Sequence, residues 1–500
     1  MNLINNLVSA NLKNRIKIIQ EEIDNPIETQ HKILFSNLNY ASKTLFGEKH
    51  YFNKIKNYSD FKNFIPIRDY TDFKPYIDLA RKKNKNIIWP GIIKWFAQSS
   101  GTSNNKSKFI PITKESLRDG HFKAGKDMLS IYLQNNPSSK ILSGKSLMIG
   151  GSTKINKIDS YFFGDLSAII IQNLPVWVQL KRAPSIKTAL LDNWEKKINR
   201  IIDETINQNI TSISGVPSWT QIIINKILEK TGSKNLSEIW PNLELYMHGG
   251  ISFKNYKNSF KNYTHSNSLK FLEIYNASEG FFGIQNNPSS TDLLLLINHG
   301  VFYEFIPMVN GVEEIKNTIS IEDVKIGQLY TMIVSSNGGL WRYKIGDTIK
   351  FTSKFPFKIK IAGRTTSFIN AFGEELIVSN TDSALQYACD KTQSVAKEYI
   401  AAPLFYDNKS GCHEWIIEFE KKPQNINTFI YYLDEKLQQI NSDYEAKRKS
   451  NILLKKPQIN IVEKKFFFEF MKTQKKIGGQ NKLKKLYNDR KLMDELLKKL

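Results

Sequence analysis

The sequence predicts an α/β protein: a large layered N-terminal α/β domain, opened by an α-rich region, followed by a smaller C-terminal α+β domain. Three observations lead there. Apolar residues over the first ninety positions recur at helical spacing. From Ile92 onward, short β-branched runs alternate with longer helical patterns. After Arg364 the chain resolves into strand-helix-strand pieces. A boundary at Gly363 divides the chain into domains 1–362 and 363–500.

The entrance is read as helices from Leu3, Leu7, Leu12, Ile16 and Ile19, spaced three to five residues apart, and from a similar pattern over Tyr70 to Ala80. The β-branched runs are Ile169 to Ile171, Ile222 to Leu228, Phe271 to Ile274, Tyr330 to Val334 and Ile359 to Ala362. In the second domain the pattern predicts a helix near Asp382 to Lys391, a strand at His413 to Glu420, a helix at Asn427 to Asn441 and a basic helical tail. No internal repeat is visible, and no Pro- or Ser-rich linker divides the chain.

Composition narrows the function classes. With 500 residues, 41% hydrophobic and 24% charged, the chain can bury more than one core, which excludes pervasive disorder. The aliphatic run Leu293 to Ile297 is far too short to span a bilayer, so no membrane partner is expected. Asn2, Asn5, Asn6, Asn11 and Lys13 interrupt the N-terminus before a secretory pattern develops, and Cys389 and Cys412 are too few for a disulfide framework; a cytoplasmic location follows. The net charge of +23 suggests a Lys-rich nucleic-acid-binding protein. However, 61 of the 71 basic residues are Lys in a chain crowded with Asn and Ile, a pattern of coding bias that fills solvated faces, so no nucleic-acid partner is expected.

Five segments could carry chemistry. Ser99-Ser100-Gly101-Thr102 lies between two extended runs, with Lys106 and Lys108 beyond it. Such a hairpin offers hydroxyl and N–H donors to an anion, or is simply a solvated turn. It lacks the second Gly and the following helix of a Walker loop. Tyr275-Asn276-Ala277-Ser278-Glu279-Gly280 follows an apolar strand and places a carboxylate where it could bind Mg²⁺ or close a polar turn. In Arg342-Tyr343-Lys344-Ile345-Gly346-Asp347, an Asp ends an extended run, where it could accept ribose hydroxyls or cap a turn. Gly363-Arg364 offers a pivot with a guanidinium, or a hairpin turn. Gly478-Gly479-Gln480-Asn481-Lys482 presents a Lys from a Gly-Gly loop in a Lys-rich tail. The seven His form no metal cluster, and neither GxSxG nor GxGxxG occurs in the required context.

The order of these segments resembles the adenylate-forming superfamily of acyl-CoA synthetases, peptide synthetase adenylation domains and luciferases. Their wording is most similar to the Gretchen Hagen family, the auxin-responsive acyl acid amido synthetases and their bacterial relatives. Ser99 to Thr102 with Lys108-Phe109-Ile110-Pro111 looks like that family's phosphate loop, with Asn104-Asn105 in place of a Gly-containing turn. Ser214-Gly215-Val216-Pro217-Ser218-Trp219, Gly249-Gly250 and Phe302 to Pro307 add to the likeness, which runs from about Trp95 to Arg490.

The resemblance implies an ATP-dependent ligase. A carboxylic acid attacks the α-phosphate of ATP to give acyl-AMP and pyrophosphate, and an amine, typically an amino acid, then displaces AMP to form an amide. An acyl-CoA ligase using the same adenylate is the alternative. By the same resemblance, Ser99, Ser100, Gly101 and Thr102 would cradle phosphates, Glu279 would bind Mg²⁺, and Lys108 and Lys482 would neutralise charge as pyrophosphate leaves. Gly250, Ile251 and Tyr275 would lie near the adenine, while Asp347 and Arg364 would hold the ribose. Val216, Trp219 and Phe302 would line the acyl pocket, and the small domain would swing about Gly363 as a monomer or weak homo-oligomer turns over.

Overall fold

The computed structural model describes residues 2–82, 84–99, 108–150, 155–158, 161–191, 193–251, 253, 256–265, 268–309, 312–364, 368–374, 376–406, 410–449, 453–473 and 485–500. The described residues within Met1–Ser99, Phe109–Gly250 and Phe260–Thr365 form one compact unit, and those within Ser100–Lys108, Ile251–Ser259 and Thr366–Leu500 a second.

The first unit opens with helices Asn2–Asp24, Pro26–Ala41, Tyr58–Phe64 and Tyr70–Arg81. Local chemistry sets their ends: Pro26 occupies the first turn of its helix, and Asp69 and Asp72 form a reciprocal capping box at the start of Tyr70–Arg81. The apolar faces of the last two helices bury Phe61 and Phe73 completely in a core shared with the sheet, each such side chain contributing about 2–3 kcal/mol. Polar side chains fix the docking. The buried Gln30 amide donates to the carbonyls of Ile297 (2.6 Å) and Val301 (2.9 Å) and accepts from the N–H of Tyr303 (2.9 Å). Arg15 grips Asp127 with Nε at 2.6 Å and Nη2 at 3.0 Å, and His299 Nε2 lies 3.0 Å from the same carboxylate.

At the centre is a 13-stranded sheet with a parallel and an antiparallel half. Arg182–Ala183, Lys145–Met148, Ile210–Ser214, Leu245–His248 and Lys270–Ala277 lie side by side and parallel. From Lys270–Ala277 the sheet continues antiparallel through Gly280–Ile284, Leu293–Leu295, Phe357–Arg364, Tyr343–Lys354, Leu329–Ser336 and Val301–Val309. A second sheet runs Lys108–Ile112, Trp95–Ser99, Tyr161–Gly164, Asn156–Ile158. The α/β reading of the sequence is therefore correct.

Two apolar runs read as strands are helices instead. Ile169 to Ile171 belongs to Leu166–Asn173, and Ile222 to Leu228 to Pro217–Thr231. The latter starts with Pro217 at its first position, ends at Gly232 in the left-handed region (φ 68°), and buries Ile222, Ile223, Ile224 and Ile227. A helix buried around most of its circumference loses the polar face that marks its period, so its Ile run mimics a strand.

In the second unit, Val395–Tyr406, Ser410–Lys421 and Gln458–Val462 form a three-stranded sheet; its middle strand and the helices Val378–Thr392 and Ile426–Ile440 are the elements the sequence predicts. Ile400, Ile416, Phe467, Met493 and Leu496 form one core of this unit. The Glu374 carboxylate, fully buried, meets His413 Nε2 at 2.8 Å and accepts from the N–H of Phe372 at 2.7 Å. No helix among the described residues is long and apolar enough to cross a membrane.

Candidate active site

Parallel strands aim their carboxyl ends, and the loops that follow them, at one edge of the sheet, the edge where open α/β folds bind ligands. Here Ser214, His248 and Ala277 end three adjacent strands, and small residues draw the following segments together. The Gly215 N–H donates to Met247 O at 3.1 Å, while the Tyr246 hydroxyl donates to Gly215 O at 2.9 Å. A Cβ on Gly249 would stand 2.5 Å from Ile274 O, so only glycine permits this approach. Gly250 has φ 84°, and a Cβ there would lie 3.5 Å from Val216 Cγ2. Val216 thus faces the exposed turn at Gly250, and it caps the helix on which Trp219 is buried one turn further on. Ile251, the next residue in the chain, is 8% exposed.

Tyr275, on the neighbouring strand, donates its hydroxyl to Asp347 Oδ2 at 2.5 Å, with both side chains buried. Asp347 does not end its strand, as the sequence suggests, but lies inside Tyr343–Lys354. The pairing moves from Ile333↔Lys344 to Thr331↔Thr348, so Ile345, Gly346 and Asp347 together oppose Met332 in a bulge. Gly346, at φ 94°, supplies the backbone conformation this needs. On the other side of the strand, the register sets Arg364 directly opposite Asp347, and Gly363, at φ 150°, opposite Thr348. Gly363 and Arg364 end a strand rather than turn a hairpin.

Glu279 sits half-buried in the two-residue turn between Lys270–Ala277 and Gly280–Ile284, four residues beyond Tyr275. No group of three or more metal-ligating side chains occurs among the described residues. A carboxylate on a turn suits an ion whose other ligands are phosphate oxygens and water, as is usual for Mg²⁺ beside a nucleotide.

The structure therefore brings Val216 and Gly250 together, and it joins Tyr275 to Asp347 and the backbone of Arg364. Phe302 stands apart. It is 1% exposed and packs edge-on against Tyr58 and Phe61 in the core, so it offers packing rather than a pocket wall. Arg342, adjacent in sequence to the ribose motif, is likewise structural: it holds Glu304 in a bidentate pair at 2.9 Å per bond and donates to Ile65 O at 2.7 Å. Lys108 is half-buried at the start of its strand. Ser100, Gly101, Thr102 and Lys482 lie outside the described residues, as do the side chains of Ser99 and Arg364. Sequence reasoning passed over His248, buried at a strand's carboxyl end directly before Gly249-Gly250. Its place between an apolar strand and two glycines was the signal.

Comparison with known proteins decides the family. The GH3 family N-terminal domain matches residues 15–269, the GH3 family central domain 294–364 and the GH3 family C-terminal domain 379–491. The chain belongs to the GH3 family. Among relatives, it is 21% identical to indole-3-acetic acid-amido synthetase GH3.4 of Arabidopsis thaliana over 67% of this chain and 66% of that one. It is 24% identical to jasmonoyl-L-amino acid synthetase JAR6 of Nicotiana attenuata over 65% of each. The alignments thus span just under two thirds of these GH3 relatives. The fold is shared over nearly the whole chain with the GH3.15 acyl acid amido synthetase in complex with 2,4-DB (TM-score 0.63, 17% identity, 98% of this chain and 96% of that one). It is also shared with a 2-hydroxyisobutyryl-CoA ligase (TM-score 0.57, 11% identity, 95% and 93%). The GH3 chain accordingly shares the fold of these two enzymes.

Proposed function

We propose that this GH3 protein is an ATP-dependent acid–amine ligase that adenylates a carboxylic acid and passes the acyl group to an amine, with an amino acid as the amine. The buried Tyr275–Asp347 bond at the carboxyl edge of the parallel strands carries the reading. A carboxylate held by the Tyr275 hydroxyl, together with a turn where Gly250 meets Val216, suits a ribose hydroxyl pair with the base resting beside the glycines. Relatives whose names describe acid–amino acid synthetases point to the same chemistry.

In this reading, Gly250, Ile251 and Tyr275 border the adenine, Asp347 and Arg364 hold the ribose, and Ser99 to Thr102 receive the phosphates. Glu279 holds Mg²⁺, which when bound screens the phosphate charge. Lys108 and Lys482 stabilise the departing pyrophosphate, since a carboxylate approaching a polyanion needs its charge offset. Val216 and Trp219 border the acyl group. The small domain, residues 363–500, turns about Gly363 between the half-reactions. Cys389 and Cys412, both buried and unpaired, accord with a reducing cytoplasm, and the working form is a monomer or weak homo-oligomer, to be read by size-exclusion chromatography with light scattering.

The test is pyrophosphate release by the purified protein with Mg-ATP across a panel of carboxylic acids, followed by an amino acid panel on the best acid. Acid-dependent AMP and pyrophosphate are expected. ADP and free phosphate would overturn the reading. The shared fold with a CoA ligase makes the thioester the competing product, and mass spectrometry of the product from labelled acid distinguishes it from the amide.

A further inference from the structure

The same parallel strands begin at the opposite edge of the sheet. There Lys145 starts Lys145–Met148, Arg182 starts Arg182–Ala183, and Gln208 shortly precedes Ile210–Ser214. Between them lies a cavity of about 270 Å³, lined by Lys145, Gln179, Arg182, Ser185, Glu204 and Gln208 among others.

Its lining is polar in an unusual way. Arg182 is 4% exposed, yet its Nε and Nη2 find no hydrogen-bond partner among the described residues. Buried guanidinium N–H groups without partners are costly, and burial lowers the Arg182 pKa, opposed only by the charge of Glu204. Glu204 does not satisfy it directly. That carboxylate accepts from the Ser185 N–H at 2.6 Å, from Ser185 Oγ at 3.0 Å and from Thr188 Oγ1, and so secures the start of the helix Ile186–Ala189. Two acceptors are unpartnered as well, Gln179 Oε1 and Gln208 Oε1. The Gln179 amide cannot be turned around, because its Nε2 donates to Ile171 O at 2.7 Å. The residues that line this one cavity thus include a cation with unpartnered donors and two amides with unpartnered acceptors.

We infer that this cavity binds a small carboxylic acid that also carries a hydrogen-bond donor, an α-amino or α-hydroxy acid. Its carboxylate pairs with the Arg182 guanidinium while Lys145 adds positive charge, and its ammonium or hydroxyl donates to Gln179 Oε1 and Gln208 Oε1. The Glu204 charge in the wall disfavours a phosphate dianion and tolerates a monoanion or zwitterion. The site lies at the opposite end of the strands from the nucleotide edge and does not rest on the ligase reading.

Isothermal titration calorimetry of the full chain without ATP tests it, with L-serine and L-lactate as probes and lactamide as the uncharged control. Saturable binding of serine or lactate, and none of lactamide, is expected. Arg182→Gln should weaken it by about tenfold or more, and Gln208→Leu, altering a half-buried wall residue, should weaken it with the circular dichroism spectrum unchanged. Glu279→Gln, at the other edge, should leave it intact. If Arg182→Gln fails to fold, Gln208→Leu decides. The proposal is overturned if neither acid binds saturably, if binding survives Gln208→Leu undiminished, or if only Glu279→Gln abolishes it. Because no pyrophosphate is measured, failure here leaves the ligase reading standing, and failure of the ligase reading leaves this site standing.

Discussion

Tyr275 and Asp347, 72 positions apart in the chain, share a hydrogen bond of 2.5 Å that ties the last parallel strand of the sheet to a bulge in its antiparallel half. The bond orients the one carboxylate the ribose reading requires. Tyr275→Phe removes a donor to a charged acceptor, a loss of about 1.5–3 kcal/mol. The expected result is a rise in KM for ATP of about tenfold or more, with folding retained. Steady-state pyrophosphate assays check it, and an unchanged KM would separate Tyr275 from nucleotide binding.

Glu279→Gln keeps the shape of the turn side chain and removes its charge. If Glu279 binds the nucleotide's Mg²⁺, adenylation should fall by about a hundredfold or more, with some recovery as Mg²⁺ is raised. A titration of rate against Mg²⁺, with circular dichroism as a control on folding, reads this. Wild-type rates at low Mg²⁺ would show that Glu279 only closes the hairpin.

Gly363 sits at φ 150°, which side-chain-bearing residues rarely adopt, although a Cβ there would meet only Thr348 Oγ1 at 3.7 Å. Gly363→Ala therefore has room but is strained, at a cost of about 1–3 kcal/mol, which should appear as a lower Tm. Proline, locked near −65°, fits this position even less well. If Gly363 is also the pivot, adenylate formation and amine transfer should slow unequally in single-turnover assays. Equal losses in the two steps would reduce it to a structural glycine.

His121 provides a pH prediction. It lies in the π-helical turn Ser116–Phe122, fully buried with both ring nitrogens unpartnered among the described residues, and burial pushes its pKa from 6.5 down to about 4. A pKa depressed by folding means the neutral ring is favoured in the folded state. Its contribution is complete above pH 6.5 and disappears as pH falls through about 4. The shift corresponds to on the order of 3 kcal/mol. Urea midpoints at pH 7.5 and pH 4.5 should therefore differ less in His121→Leu than in the unaltered protein; an equal difference would refute the assignment.

Much of the architecture was legible because it rests on local signals. Helical spacing marked Tyr70–Arg81, and β-branched runs marked Leu329–Ser336 and Ser410–Lys421. The order of the motifs was legible for the same reason, and it pointed to the family that the domain matches establish. Ile222 to Leu228 was misread because a helix enclosed on most sides carries no polar period.

The sequence by itself determined the α/β class and the family, since these depend on spacing along the chain and on residues whose backbone preferences are strong. Only the tertiary structure decided which residues meet. It set Asp347 inside a strand bulge rather than at a strand end, joined it to Tyr275, and committed Phe302 to the core. It also closed Gln179, Arg182 and Gln208 around one cavity. Each of these depends on strand register and on packing between segments far apart in sequence, where a shift of one residue exchanges a buried side chain for an exposed one.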